Sequence, residues 1–349
     1  MATYTVGPSG DYATLALAIA GVGAGNTIQI LTAYVHDGSA VSITTSGVAY
    51  ESESGNPADC VLDASASTAF MFSSMRTGMS FTGITFKSTK ASSSRNCVYI
   101  NKSTAMFTDC VFEMSGTGGS AYAAIYPGLN CLFQRCTFKG NNAPTRGIYA
   151  SHDYDYAVDS CFFDRCGSYA IYMTKGNVTV RNCTIYTLQV AATTRGIWIS
   201  GATCDNSHVY NCILFGGAGV SEGVKMYDLA TNSVKNVISF GSWSSEFDVG
   251  TSTVTANLYD QAAVTADGNP VFTTRSGDLV TDFHPDTSGL AYEGGDASFA
   301  PSTDIEGESW NSPPSIGCYE TPAAGGGGGL TRTVKAPALG INNPFSLDL

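Results

Sequence analysis

FTDCVF at residues 107–112 is one copy of a phrase that returns as FQRCTF (133–138), VDSCFF (158–163), VRNCTI (180–185) and VYNCIL (209–214). The cysteines of successive copies are 26, 25, 22 and 29 residues apart. The phrase continues without its thiol as FTGITF (81–86) and VKNVIS (234–239). A repeat length in the twenties with short β-rich runs is typical of a solenoid, in which each coil stacks on the next.

A second, shorter phrase lies in each repeat and reads GIYA at 147–150, AIYM at 170–173 and GIWI at 196–199. Period-two alternation places its aliphatic residues on the core side of a strand. An outward column is therefore predicted for Tyr99, Tyr126, Tyr149, Tyr172 and Trp198, which Lys225 ends. Large exposed apolar patches mark interfaces or ligand grooves. The column fits packing against other copies about a three-fold axis, stacking with sugar rings, or cover by loops.

The links between phrases vary in length and contain no helical pattern of ten residues or more. Parallel strands joined by turns alone predict an all-β chain with a right-handed parallel β-helix, because propeller blades need about 40–45 residues each. The chain is divided into a cap (1–39), coils (40–262), a closing segment (263–322), and a glycine-rich linker with a tail (323–349). Within the cap, Asp11 is predicted to begin a short capping helix in YATLALAIAG (12–21).

The recurring cysteines are predicted to form an interior ladder of reduced thiols. Stacked coils separate equivalent residues by about 4.7–4.9 Å with parallel side chains, which does not suit a relaxed disulfide. Cysteine also packs well as a small buried apolar residue. The cysteine spacings match no common zinc pattern, so we expect no metal and no other cofactor.

Composition excludes some partners. The formal charge is −12, from 17 basic and 29 acidic residues, and argues against nucleic acid. No apolar run approaches the roughly 18 residues of a membrane span. The first residues, MATYTVGPSGDY, lack the pattern of a secretory signal, so we expect folding in a cytoplasm.

Two terminal stretches carry a resemblance. YTVGPSGDYATLALAIAGVGAGNTIQIL (4–31) is similar to the N-terminal cap, and residues 268–320, beginning GNPVF, are similar to the closing segment, of the pectate-lyase-like single-stranded right-handed β-helix superfamily. That superfamily includes many phage tailspikes. The resemblance implies the fold, and it leaves lyases, hydrolases and inert structural proteins open as functions.

The densest polar cluster is SHDYDYAVDSCFFDR (151–165). Its weak catalytic candidates are Asp153, Asp155, Asp159, Asp164 and Arg165. Cleavage of a polysaccharide needs two carboxylates, or a base with a cation. Turn conformation explains the first two aspartates equally well. Charged residues at matching positions of successive coils, such as Asp109 and Arg135, are predicted to neutralise one another, and DIEGES (304–309) is predicted to be a structural turn.

The C-terminus has a different character. Five glycines (325–329) precede LTRTVKAPALGINNPFSLDL (330–349), whose apolar residues are Val334, Leu339, Ile341, Phe345 and Leu347. This tail is either frayed or a peptide that docks on a capsid or tail protein. The favoured hypothesis is a non-enzymatic bacteriophage decoration (cement) or spike protein, assembled in the host cytoplasm, homotrimeric and anchored to the virion by this tail. The alternative is a tailspike-type depolymerase, a lyase or glycoside hydrolase, that binds and cleaves host surface glycan.

Overall fold

The computed structural model describes residues 1–36, 41–63, 72–74, 76–88, 98–100, 104–114, 123–126, 129–140, 146–187, 195–227, 229–276 and 279–321. Its strands form three parallel sheets around one interior, each strand pairing with the equivalent strand one coil away. The predicted β-helix is therefore confirmed.

The three sheets are named here in the order in which each coil passes through them. Sheet 1 contains Thr3–Val6, Thr27–Ile30, Ala49–Ser52, Met79–Thr82, Thr104–Thr108, Leu129–Gln134, Asp155–Asp159 and Asn177–Arg181. Sheet 2 contains Val61–Asp63, Thr85–Ser88, Val111–Met114, Thr137–Lys139, Phe162–Asp164 and Thr184–Thr187. Sheet 3 contains Val41–Ile43, Phe72–Ser74, Val98–Ile100, Ala123–Tyr126, Arg146–Ala150, Tyr169–Met173 and Arg195–Ile199. The long strands His208–Met226 and Ser233–Asp248 pass through all three sheets, and Thr253–Tyr259 follows them.

From the coil of Met79–Thr82 onward, a tight corner with one left-handed residue joins sheet 1 to sheet 2. The corner residue has a left-handed backbone, with φ of 48° at Asn182, 51° at Asn211 and 52° at Asn236. Asparagine tolerates this conformation better than most residues. The corner turns the next side chain inward, and this next position holds the recurring cysteine. The corner therefore explains why the phrase repeats with its thiol in one place.

The thiol ladder is confirmed. Its five members are free and buried: Cys110, Cys136, Cys161, Cys183 and Cys212. The Cys136 Sγ, for example, lies 3.4 Å from the carbonyl oxygen of Phe107 one coil away. Burial raises the pKa of the Cys110 and Cys161 thiols well above the usual value, which keeps them protonated.

Two columns of phenylalanine fill the interior beside the thiols. On sheet 1, Phe81, Phe107 and Phe133 stack with ring centroids 4.8 and 5.3 Å apart. On sheet 2, Phe112 and Phe138 stack at 4.9 Å, and the two columns meet edge to face. Both geometries are favourable for aromatic rings, so identical residues in register stabilise the stack.

The N-terminal helix α1 spans Leu15–Gly21 and packs its buried Leu15, Ala18 and Ile19 toward the first coils. The predicted helix start at Asp11 is wrong. Thr14 is the N-cap, and its hydroxyl accepts a hydrogen bond from the Leu17 N–H. The Asp11 carboxylate instead accepts from the N–H and hydroxyl of Thr5. Strand pairing also begins earlier than residue 40, since Thr3–Val6 already pairs with Thr27–Ile30.

The C-terminal strap, residues 261–321, folds back along the outside of sheet 2. It begins with helix α2 (Gln261–Asp267) and an antiparallel hairpin of Phe272–Ser276 and Leu279–Pro285. Phe283 lies 4.5 Å from the ring of Phe162, and Phe272 lies 6.0 Å from Phe240. The outward face of sheet 2 thus gains a second apolar core, separate from the interior.

Asn211 joins the corner column to the strap. Its Nδ2 donates to Asn182 Oδ1 and to the carbonyl of Asp296, at 3.2 and 3.0 Å. Its Oδ1 accepts from Asn236 Nδ2 and from the N–H of Asp296, at 3.2 and 3.0 Å. The side chain is fully buried, so every polar atom of this amide is satisfied internally.

Replacing Asn211 by Ala should lower the free energy of unfolding by about 3–5 kcal/mol, because buried partners lose their hydrogen bonds and alanine tolerates the left-handed corner poorly. Denaturant unfolding followed by circular dichroism measures the loss. Asn177→Ala is the matched control, since Asn177 has ordinary strand geometry and bonds at the surface. A loss for Asn211→Ala no larger than that of the control would contradict the role of the corner column.

Candidate functional site

The outward surface of sheet 3 carries two adjacent columns of side chains. One column runs through Arg146, Tyr169 and Arg195, which are paired in register on successive coils. The other runs through Tyr149, Tyr172 and Trp198 in the same way. We call these six residues the aromatic–arginine face. All six are partly buried, so the predicted outward column is confirmed for its described members.

The rings of this face stack on one another. Tyr149 and Tyr172 have centroids 5.3 Å apart and an interplanar angle of 16°, and Tyr172 and Trp198 are 4.5 Å apart at 14°. Tyr169 stacks beside Tyr172 at 4.8 Å. Each ring therefore uses its flat surface against a neighbour and presents mainly its edge to solvent.

Two guanidinium groups complete the face. Arg146 lies 4.5 Å from the ring centroid of Tyr149, 4.9 Å from Tyr172 and 5.4 Å from Tyr169. Arg195 lies 4.2 Å from the ring of Trp198. Cation–π contacts of this length are favourable, more so where the pair is partly desolvated.

Charged residues continue both columns beyond the rings. Glu222 follows Arg195 and accepts from its Nε at 2.6 Å. Lys225 follows Trp198 and binds Asp248 on the next coil at 2.6 Å. Lys225 Nζ also lies 3.3 Å from Glu222 Oε1. The interruption of the aromatic column at Lys225 is thus confirmed, and ion pairs replace the rings beyond it.

The predicted catalytic candidates do not come together. Asp159 ends a strand of sheet 1 and binds Arg181 through both oxygens, at 2.8 and 2.5 Å. Asp164 ends a strand of sheet 2 and binds Arg165 at 2.8 and 2.9 Å. Asp155 is exposed and accepts from Asn177. The corner at Ser160 separates the first two carboxylates onto different sheets.

Asp153 is also exposed and lies in the turn before Asp155. The predicted neutralisation between coils is confirmed by the Asp159–Arg181 pair and by Asp109–Arg135, whose nitrogens and oxygens lie 2.7 and 2.8 Å apart. These charges hold adjacent coils in register.

A cleft of about 250 Å³ lies between the corner column and the strap, and no sequence pattern predicted it. Asp109 and Arg135 line it from the coils, and Glu306 and Tyr319 line it from the strap. His284 Nε2 lies 3.1 Å from Glu306 Oε2. These residues are distant in sequence, so no local pattern could have brought them together.

Asp304 organises the strap loop beside this cleft. Its Oδ1 accepts from the N–H groups of Glu306 and Glu308 at 2.9 and 2.7 Å, and its Oδ2 accepts from the Glu320 N–H at 3.0 Å. DIEGES is therefore a structural turn, as predicted. Burial raises the pKa of the Asp304 carboxyl to about 6, although the three N–H donors act in the opposite direction.

Within the described ranges, no group of three or more His, Cys, Asp or Glu side chains could hold a metal ion. No helix in the same ranges is long and apolar enough to cross a membrane. The side chain of Tyr126 and the predicted docking residues of the tail lie outside the described residues.

Comparison with known proteins identifies relatives of the same fold. A family model described as "Right handed beta helix region" matches residues 73–269. The crystal structure of pectate lyase Pel9A is similar, with a TM-score of 0.60 and 14% identity over 92% of this chain and 97% of that chain. Pectin methylesterase from Aspergillus niger has a TM-score of 0.38 at 14% identity, covering 82% of this chain and 92% of that chain. No curated protein sequence matches. The likeness to the lyase is one of fold, and it agrees with the predicted right-handed parallel β-helix.

The raised pKa of Asp304 predicts a pH dependence. A carboxyl that binds its proton more tightly in the folded state stabilises the fold less as pH rises from its unfolded pKa, near 4, through about 6. Between pH 4 and pH 7, the free energy of unfolding of the native chain should fall by about 2–3 kcal/mol relative to that of Asp304→Asn, which cannot ionise at this position. Denaturant unfolding of both proteins across this pH range measures the difference between their free energies of unfolding. The contributions of the other titrating groups are common to both proteins and cancel in this difference. A difference that stays constant with pH would contradict the buried ionisation.

Proposed function

This chain belongs to the right handed beta helix family, and from that premise we propose that it is a non-enzymatic structural protein of a bacteriophage virion. In this proposal it is a decoration or spike protein that assembles with copies of itself. Residues 330–349 attach it to a capsid or tail protein. The resemblance of its cap and closing segment to those of a β-helix superfamily that includes many phage tailspikes motivates the placement.

The observation that carries the proposal is the aromatic–arginine face. Sugar rings bind aromatic side chains through the flat surface of the ring. Here those surfaces are taken up by neighbouring rings and guanidinium groups, with Tyr172 held between Tyr149 and Trp198. Tyrosine, tryptophan and arginine are enriched at protein–protein contacts. The face is better suited to binding a protein surface than a glycan.

The state of the acidic residues points the same way. Asp159 and Asp164 are both buried and both bind an arginine through two oxygens. Such pairs hold the carboxylates in place and occupy their oxygens, whereas a catalytic acid or base needs access to the substrate. The Asp159–Arg181 pair joins successive coils, and Asp164 binds the adjacent Arg165 of its own coil.

A polysaccharide depolymerase is the second candidate, favoured by the cleft beneath the strap. Its Glu306 and Asp109 are two carboxylates beside one cation, Arg135. Two carboxylates serve glycoside hydrolysis, and a base with a cation serves elimination. The lyase named in the fold comparison makes an acidic polysaccharide a reasonable substrate to test.

Incubation with host capsule, lipopolysaccharide and polygalacturonate should release no oligosaccharide and no unsaturated uronate absorbance, because Asp109, Asp159 and Asp164 are each bound to an arginine. Chromatography of the digest and ultraviolet absorbance measure this. Release that is lost in Glu306→Gln, Asp155→Ala or Asp159→Ala would favour the enzyme. Asp205→Asn, at an exposed position, is the matched control.

Attachment through the tail gives a second test. A chain ending at Ala324 should keep the thermal unfolding curve of the full protein and be absent from purified virions, measured by mass spectrometry of the particles. Replacing Phe345 and Leu347 by serine should have the same effect, because apolar burial drives peptide docking. Asp348→Ser is the control. Normal incorporation of the shortened chain would rule out the tail as the anchor.

A further inference from the structure

Arg146 differs from four other arginines of the coils. Arg135, Arg165, Arg181 and Arg195 each bind a carboxylate at 2.8 Å or less. Among the described residues, no carboxylate lies within ion-pair distance of Arg146, and its Nε is buried without a hydrogen-bond partner. The guanidinium is held over three tyrosine rings, which fix its position, and its charge has no counterion in the part of the chain that the structure describes.

The segments that the structure does not describe cannot supply this counterion from nearby in the chain. All such segments between residues 64 and 194 lack aspartate and glutamate, although the whole chain has 29 acidic residues. They contribute Lys90, Arg95 and Lys102 instead. In an acidic protein, this part of the chain is therefore locally basic.

The charges on sheet 3 follow an order along the coil axis. Arg146 lies at one end of the aromatic–arginine face, and Glu222 and Asp248 lie at the other. Adjacent coils are about 4.8 Å apart, so about 14 Å separates the coil of Arg146 from that of Glu222. The face thus has a cation without a described counterion at one end, an aromatic middle, and two carboxylates bound to Arg195 and Lys225 at the other end. Asp248 is half exposed there.

We infer that the aromatic–arginine face binds a second copy of this chain in antiparallel orientation, about a two-fold axis perpendicular to the coils. An axis near the coils of Tyr172 and Trp198 brings Arg146 of each copy to the end of the other copy that carries the two carboxylates. Arg146 then receives its counterion from Glu222 or Asp248 of the second copy. The same operation brings the two aromatic middles together.

The charge order disfavours the three-fold arrangement expected from the sequence. An axis parallel to the coils places equivalent coils side by side, so Arg146 would meet Arg146 without a counterion. A two-fold axis makes the face self-complementary, as isologous contacts require. This inference concerns the geometry of self-association and does not depend on attachment to a virion.

The contact is small. Four coils and strands of five residues give a central patch of roughly 300 Å² per copy, below the roughly 800 Å² of a standard interface. We therefore expect a dimer that dissociates in the micromolar range. Sedimentation velocity of the full chain up to about 0.1 mM covers that range.

The first experiment compares charge variants by sedimentation. Arg146→Glu should weaken the dimer at least about tenfold, since it places like charges at both symmetry-related ends. Lys87→Glu makes the same change in net charge on sheet 2 and should leave the affinity within about twofold. A double variant, Arg146→Glu with Asp248→Arg, should recover most of the loss. Unchanged affinity in Arg146→Glu would overturn the proposal.

The second experiment tests orientation with a short bis-maleimide. A mixture of Arg146→Cys and Asp248→Cys chains should cross-link to dimers, whereas each variant alone should cross-link far less. The native chain, whose described cysteines are all buried, gives the background. Efficient cross-linking of Arg146→Cys with itself would indicate parallel packing and overturn the proposal. A chain that stays monomeric at the highest concentration would also overturn the proposal. Binding of polygalacturonate by the native chain that is abolished in Arg146→Glu would overturn it as well.

Discussion

Every feature of this molecule depends on one constraint, the in-register stacking of parallel strands about 4.8 Å apart. A residue in one coil has its counterpart directly above and below it. Identical side chains that pack favourably on one another, such as the stacked rings of Phe107 and Phe133, can repeat from coil to coil without a partner of another type. Charged side chains must alternate in sign, and Asp109 with Arg135 does so. The recurrence of similar residues at equivalent positions of the sequence is a direct result of this geometry.

The stack is stabilised on two fronts. Inside the coils, thiols and phenylalanines exclude water. Outside sheet 2, the strap covers a second apolar layer that would otherwise face solvent, as the contact between Phe162 and Phe283 shows. The corner asparagines connect the two, because Asn211 bonds both to its column and to the strap. Coil registration and strap docking are therefore parts of one hydrogen-bond network.

The sequence predicted correctly those features that recur in every repeat. The coil phrase identified the interior thiols, and the alternation in GIYA and GIWI identified Tyr149 and Trp198 as outward. It failed where the answer depends on distant contacts. Asp11 has a good capping side chain, yet Thr5 captures it. The acidic cluster at 151–165 is dense in sequence, yet the turn at Ser160 separates its members. The cleft joins residues nearly 200 positions apart, which no local pattern encodes.

The row of buried thiols has a consequence for observing the molecule in motion. In the folded coil these sulfurs are shielded from solvent, and they react only when the wall of their own coil opens. Because one thiol sits in each of five successive coils, an alkylating reagent read out by mass spectrometry would report breathing at single-coil resolution. The order in which the five thiols become alkylated would show which coil of the solenoid opens first.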